Sequence, residues 1–511
     1  MNLHGKNFIG GNLSAENTAG FHATNARTGE KLSPPFHEAI NAEIHAAFLS
    51  ANQAFSEVKN FPPEKIASFL HQIAEEILRL GDELIQRAQA ETALPEPRLL
   101  GERARTISQI KMFADLVTEG SWINASIDLA LPERKPLPKP DLRKMLVPIG
   151  PVVVFGASNF PFAFSVAGGD TISALAAKNP VIVKAHPGHP GVSEMVARAI
   201  QSAGKATQMP AGLFSLLHGT SHDVGLQLVR HAATKAVGFT GSLKAGRALF
   251  NAAAARPEPI PVFVEMGSTN PIFILPNALQ KNGNALAENL IQSVTLGVGQ
   301  FCTNPGLVFG LRDEHWRSFA AKTAQLAEKI SPGTMLYPNL CKSFHDGFEQ
   351  IKKISSVTIL GKSSADSNSL QAPAVVFSTD AKTFLQNEIL REELFGPATL
   401  LVECDSLVEL ENLAQNLPGQ LTATIHGTEE ELSRAQNLIS ILQEKAGRLL
   451  FNQFPTGVEV CSSMHHGGPY PATTDSRSTS VGTAAIERFA KPICFQNFPD
   501  AALPVELQNK N

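Results

Sequence analysis

"IGPVVVFGASNFPF", residues 149–162, is an unbroken apolar run that ends at glycine and is followed at once by an amide side chain and a proline. A run of Val and Phe without alternation has both faces covered, which fits a strand of a parallel sheet better than a half-exposed ribbon. "SVAGGDTISALAAKN" follows with helical spacing, and then "PVIVKA" and "SEMVARAIQSA" repeat the pair. The rhythm continues through "GLFSLLHG", "DVGLQLVRHAA", "KAVGFTGS", "KAGRALFNAAAA" and "IPVFVEMG". Short apolar strands alternating with helices of about 10–15 residues build an α/β fold, a doubly wound sheet of Rossmann-like type. Ligands of such sheets sit outside the carboxyl ends of the strands. The segments "GASNFPF", "KAHPGHP", "HGTSHD" and "FTGSLKAG" should therefore share one rim.

A second α/β alternation begins at "PIFIL" (271–275), passes through "GQFCTNPG" (299–306) and "GLVFGL", and runs to about residue 450. The chain of 511 residues is therefore expected to divide into a doubly wound lobe over 1–130 and 149–266, a second lobe over 267–450, and a return segment, 451–484. "LPERKPLPKPDLRKMLVP" (131–148) holds too many prolines and charges for a core strand. With the tail 485–511 it is expected to form an oligomerisation arm.

Lys and Arg number 43 against 47 Asp and Glu, a net charge of -4, and no basic block is present to follow a phosphate backbone. Nucleic acid is not an expected partner. "MNLHGKNFIGGNLSAEN" lacks the layout of a signal peptide and no apolar run reaches membrane-spanning length, so a cytoplasmic protein without a membrane partner is expected. The five cysteines, at 302, 341, 404, 461 and 494, are too scattered for a disulfide framework. The adjacent His465 and His466 of "SSMHHGGPYPAT" have no carboxylate or cysteine at ligand spacing, so no metal site is expected.

Cys302 alone reads as buried apolar filler, the common fate of a cysteine. Glu265 ends the strand in "FVEMGSTNP", a place open to a surface residue or a catalytic base. Asn159 offers an amide to an oxyanion, against the plainer reading of a turn before proline. Lys184 closes "PVIVK" as a solvated strand end or a cofactor contact. In "FTGSLKAG", Gly241, Ser242 and Gly246 open a helix whose first N–H groups suit a pyrophosphate, though as a bare pattern a simple helix cap is the plainer reading.

Taken in order, these elements resemble the aldehyde dehydrogenase superfamily. "SNFPFAF" is similar to its Asn-Phe-Pro element, "VIVKAH" to its strand-end lysine, "FTGSLKAG" to its cofactor turn, "VEMG" to its glutamate motif, "GQFCTNPG" to its nucleophile motif and "EELFGP" (392–397) to its Glu-x-Phe-Gly-Pro motif. The resemblance implies Cys302 as nucleophile, Glu265 as general base and Asn159 as oxyanion donor. It also implies Lys184, Gly241, Ser242, Gly246, Glu393 and Phe395 around a nicotinamide cofactor. The chemistry agrees with these residue types: a thiolate adds to an aldehyde, a donor worth about 3 kcal/mol holds the oxyanion, and a base activates water against the resulting thioester.

Pro187 stands where members restricted to NAD carry a glutamate, which implies NADP accepted and preferred with NAD also used. His222 on the next rim offers no assured positive charge for the phosphate. Within the superfamily the sequence is most similar to the α-ketoglutaric semialdehyde (2,5-dioxovalerate) dehydrogenases, with long-chain aldehyde dehydrogenases as the alternative. Arg98, Glu102, Arg105 and Gln109 share one helical face, and by family position Arg105 is the anchor for a substrate carboxylate. A solvated Glu102–Arg105 pair is the plainer reading. Phe160, Phe162 and Phe301 are expected as walls. A cofactor-free cysteine hydrolase is the rival from another class, but it wants a histidine that the sequence does not place near Cys302. The resemblance further implies a homodimer or homotetramer.

Overall fold

The computed structural model describes residues 2–17, 20–364 and 370–509. In the first lobe five parallel strands lie in the order Val262–Glu265, Ala236–Thr240, Val152–Phe155, Val181–Lys184 and Phe214–Leu217. An antiparallel pair, Asn7–Ile9 and Asn12–Ser14, extends the far edge. The winding reverses between Val152–Phe155 and Ala236–Thr240, so the crevice for a ligand opens beside Gly156 and Gly241. Apolar clusters cover both faces, one built on the helices Pro63–Arg79, Glu96–Glu119 and Pro190–Ala206, the other on Asn41–Val58, His222–Arg230 and Leu243–Ala254. The uninterrupted apolar runs follow from that double burial.

The second lobe holds another doubly wound sheet. Its parallel strands run Val375–Asp380, Ala398–Cys404, Leu307–Leu311, Ile272–Ile274, Gln420–His426 and Ala446–Phe451, with Thr358–Lys362 antiparallel at the edge. Residues 266–271 carry the chain from the carboxyl end of Val262–Glu265 to the amino end of Ile272–Ile274. The carboxyl rim of one sheet thereby faces the amino rim of the other, and Cys302 stands in the loop that enters Leu307–Leu311.

Ser126–Asp128, Leu142–Pro148 and Ala490–Gln496 form a separate three-stranded antiparallel sheet, the arm. The tail does not begin its separate course at 485, however. Ala485, Ile486 and Phe489 are buried in the core of the first lobe, and Arg488 donates to Asp170 at 2.7 Å. This stretch is apolar because it closes the first lobe; the arm proper starts at Ala490. Among the described residues no helix is long and apolar enough to cross a membrane.

Candidate active site

The loop that leads to Cys302 departs from helical geometry at three successive residues, Gly297, Val298 and Gly299, all with positive φ. A β-branched residue in this region costs about 1–2 kcal/mol, so surrounding contacts must impose it. One is visible at Gly299, where a Cβ would stand 2.2 Å from the Gly396 carbonyl oxygen. Beyond the bend Asn270 fixes the loop: its Nδ2 donates to the carbonyls of Cys302 at 2.8 Å and Asn304 at 2.9 Å. Gln420 Oε1 in turn accepts from the Thr269 and Asn270 backbone N–H groups at 2.8 and 3.1 Å.

Cys302 is half-buried, and its Sγ lies 3.4 Å from His466 Nε2. The same nitrogen is 3.2 Å from Glu265 Oε1, while Ser480 Oγ donates to Glu265 Oε2 at 2.9 Å. His466 and Ser480 arrive on the return segment, which zips along the strand Val262–Glu265: Met266 N donates to Ala472 O, and Thr474 N to Val264 O. A hydrogen bond from His466 N to Thr479 Oγ1, 2.8 Å, and one from Ser480 N to His466 O, 2.9 Å, hold the histidine in place. Nothing in the sequence spacing of His466 to Cys302 or Glu265 signalled this meeting, and the reason given for expecting no donor partners near it is overturned: all three sit together.

Burial, and next the Glu265 charge, push the Cys302 thiol well above its ordinary range. Burial also works to raise the Glu265 carboxyl, but His466, Ser480 and Cys302 together outweigh it and hold the group lowered. The resting pair is therefore a thiol beside a carboxylate. The arrangement is not a relay triad, because one ring nitrogen faces both groups and His466 Nδ1 finds no partner among the described residues.

Asn159 is nearly buried, and its Nδ2 donates to Gln300 O at 3.0 Å. That bond uses one amide hydrogen and leaves the other for a ligand. The loop carrying Asn159 is gripped by Glu102, whose Oε1 accepts from Phe162 N at 2.8 Å and Ala163 N at 2.9 Å. Glu102 Oε2 accepts from Arg98 at 2.7 Å, so Glu102 pairs with Arg98 one turn before it and not with Arg105. Arg105 is left with a buried Nη1 that has no partner among the described residues. Burial disfavours its charge, against which Glu102 supports it. Gln109 Nε2 and Arg448 Nε are buried without partners as well.

The Arg98 guanidinium lies over the rings of Phe160 and Phe301, at 4.5 and 5.2 Å, and those rings meet edge to face at 5.4 Å. Phe162 requires correction. It is only 2% exposed and belongs to the core of the first lobe, because the Glu102 grip turns its backbone inward. Phe164, overlooked in the sequence, packs on Phe160 at 5.3 Å and on Arg105 at 5.5 Å.

On the other side of the cleft Lys184 ends its strand, with burial lowering its ammonium pKa to about 8 against the opposing pull of Glu38. Gly241 N donates to Glu265 O, and Ser242 caps the helix Leu243–Ala254 by accepting from Ala245 N. A Cβ on Gly246 would come within 2.5 Å of Val264, so only glycine lets this helix approach the strand. Glu393 and Phe395 line a narrow cavity with Ser268, Thr269, Gly299 and Asn304. The helix N-terminus, Lys184 and a carboxylate across the cleft match the needs of a dinucleotide: donors for the pyrophosphate and partners for the ribose hydroxyls.

A family model described as the aldehyde dehydrogenase family matches residues 14–489. The chain belongs to the aldehyde dehydrogenase family. Its cofactor is accordingly a nicotinamide dinucleotide, and its chemistry that of an oxidoreductase. It is 47% identical over 512 aligned residues to alpha-ketoglutaric semialdehyde dehydrogenase 2 of Azospirillum brasilense, covering 100% of this chain and 98% of that one. It is 43% identical to an alpha-ketoglutaric semialdehyde dehydrogenase of Acinetobacter baylyi, covering 99% and 96%. Among solved structures, 1-pyrroline-5-carboxylate dehydrogenase from Thermus with bound NAD superposes with a TM-score of 0.82 at 21% identity, covering 96% and 92%. That likeness is one of fold.

The raised Cys302 thiol has a measurable consequence. With chelator present and no cofactor, iodoacetamide alkylation at Cys302 should be slow at pH 7 and still climbing above pH 9, because the thiolate appears only as pH passes the elevated pKa. A rate that levels off below pH 8 would contradict the resting-thiol assignment.

Proposed function

We propose that this aldehyde dehydrogenase oxidises 2,5-dioxovalerate (α-ketoglutaric semialdehyde) to 2-oxoglutarate. The observation that carries the substrate is Arg105: a half-buried guanidinium with a buried, unpaired Nη1 and the Phe164 ring on its flank. Arg98 cannot serve equally, since Glu102 neutralises it. Full-length identity of 43–47% to two proteins named for this aldehyde supports the same reading. A long-chain aldehyde would find Phe160, Phe164 and Phe301 congenial, but it would leave the buried Nη1 of Arg105 with nothing to pair with.

In the reaction, His466 Nε2 takes the Cys302 proton and the thiolate adds to the aldehyde carbon, forming the C–S bond. The free Asn159 amide hydrogen and the Cys302 N–H hold the oxyanion, and Gln300 keeps the amide aimed. The nicotinamide, when bound, supplies the hydride acceptor, and the carbon left behind is a thioester. Glu265, held ionised by His466 and Ser480, then removes a proton from water as it attacks. The acid leaves and Cys302 recovers its proton. A hydrolase reading gains the histidine it lacked, but its single shared nitrogen lacks the orienting bond at Nδ1 that acyl transfer to amines uses.

The NADP preference expected from Pro187 is weakened by Glu38. This carboxylate accepts from Ser221 N at 2.9 Å and Thr220 Oγ1 at 3.2 Å, and it acts on Lys184. It puts negative charge on the rim that a 2′-phosphate would approach, so we infer that NAD and NADP are both used within about tenfold of each other. Assembly as a homodimer or homotetramer is supported by the arm, where Ile493 and Phe498 are exposed at the edge strand Ala490–Gln496 and Leu129, Leu131 and Leu137 are exposed in the segment that follows the other edge strand, Ser126–Asp128. Five free cysteines, two of them exposed, suit a reducing compartment such as the cytoplasm.

Three measurements test these statements. Arg105→Ala should raise KM for 2,5-dioxovalerate by about tenfold or more while changing kcat/KM for hexanal less than about threefold; equal losses, or a parent enzyme preferring hexanal, would reject the substrate. Glu38→Gln should shift the kcat/KM ratio toward NADP by about fivefold or more, roughly 1 kcal/mol, whereas an unchanged ratio would remove Glu38 from cofactor selection. Light scattering at micromolar concentration should report a dimer or tetramer, and a stable monomer would refute the assembly.

A further inference from the structure

The three side chains that carry the chemistry also have the spacing of a metal site. Sγ of Cys302 is 3.4 Å from His466 Nε2, that nitrogen is 3.2 Å from Glu265 Oε1, and the three donors all lie within 4.8 Å of one another. Tetrahedral zinc, with bonds of about 2.3 Å to thiolate and about 2.0–2.2 Å to imidazole and carboxylate, sets sulfur and nitrogen about 3.5 Å apart and nitrogen and oxygen about 3.3 Å apart. The sulfur–nitrogen and nitrogen–oxygen separations already match two edges of such a tetrahedron, and the third, sulfur to oxygen, lies within 4.8 Å.

We propose that Cys302, His466 and Glu265 form an inhibitory site for one thiophilic divalent cation of the zinc class, whose binding caps the nucleophile and reversibly stops turnover. The donor set selects the ion: a thiolate and an imidazole favour zinc or cadmium over magnesium and calcium, which want oxygen ligands. Charge balances as well. The ion displaces the thiol proton into solvent, and a thiolate, a neutral imidazole and a carboxylate then neutralise two positive charges down to zero. Ser480 steadies the carboxylate from its far oxygen, as outer partners of metal ligands do. The missing partner at His466 Nδ1 works the other way and lowers affinity by about ten- to a hundredfold relative to a fully supported site, which marks this as an inhibitory site and not a structural one. The inference rests on the cluster's geometry and is independent of which aldehyde is oxidised.

The test uses full-length, chelator-washed protein with the exposed cysteines removed, Cys461→Ser with Cys494→Ser, titrated with cadmium chloride alone. The sulfur-to-cadmium charge-transfer band should saturate at one ion per chain and vanish in Cys302→Ser. His466→Gln and Glu265→Gln should each weaken binding about tenfold or more. Zinc chloride should displace the band and inhibit aldehyde oxidation, with EDTA restoring the rate. An unchanged band in Cys302→Ser would overturn the site. So would affinities within twofold of the parent in both His466→Gln and Glu265→Gln, since the ion would then be held by sulfur alone. The titration needs neither aldehyde nor cofactor, so a failed substrate assignment leaves its outcome readable.

Discussion

The short passage of residues 266–271 between two sheets governs the cleft, because it sets a carboxyl rim against an amino rim with little freedom between them. A connection so short cannot wander, and its backbone groups lie too deep for water. Ser268, Thr269 and Asn270 are all buried, and they are satisfied by a single side chain, Gln420, together with one another. A fully paired polar knot of this kind stiffens a structure, whereas one missing partner would cost the desolvation of a buried group. Asn270 belongs to the knot and to the nucleophile loop at once. Thus the constraint that joins the lobes also fixes where Cys302 can stand.

Glu102 plays the corresponding part on the opposite wall. Its two oxygens are shared between two backbone N–H groups and one guanidinium, so a buried charge is balanced without a second arginine. Two functional results follow from this division. The Asn159 loop is held by the carboxylate, and Arg105 is left unpaired beside the aromatic rings. Had Glu102 paired with Arg105, the positive charge facing Cys302 would have been spent within the helix. A pair at i,i+4 is as favourable on a helix surface as one at i,i+3, so spacing alone did not decide which arginine Glu102 would take.

What the sequence made legible was what local order controls. Apolar runs ending in polar residues located both sheets, and the strand ends located Lys184 and Glu265, because in this fold the strand exit is also the rim. Distant chain returns were illegible. His466 reaches the nucleophile only because residues 472–474 run along Val262–Glu265, a pairing with no periodic signal in "SSMHHGGPYPAT". Phe162 and Phe164 show a finer limit: both lie in one irregular loop, and only the hydrogen bonds to Glu102 decide which ring turns into the core. The stretch 485–489 reads as tail by position, although its apolar residues close the first lobe.

The cluster resolves a conflict within the chemistry it serves. In the proposed mechanism Glu265 must stay ionised to activate water, yet an ionised carboxylate this close raises the thiol on which the first step would depend. In that mechanism one imidazole nitrogen serves the two groups in turn: Nε2 takes the proton from sulfur, and the N–H so formed can then be donated to the Glu265 carboxylate. The resting thiol is then protonated and less open to oxidation, since oxidants attack the thiolate. On the proposed mechanism it becomes a nucleophile only when the proton moves across the 3.4 Å to His466. A cation that replaces this proton holds the three groups together in the one arrangement from which sulfur cannot attack.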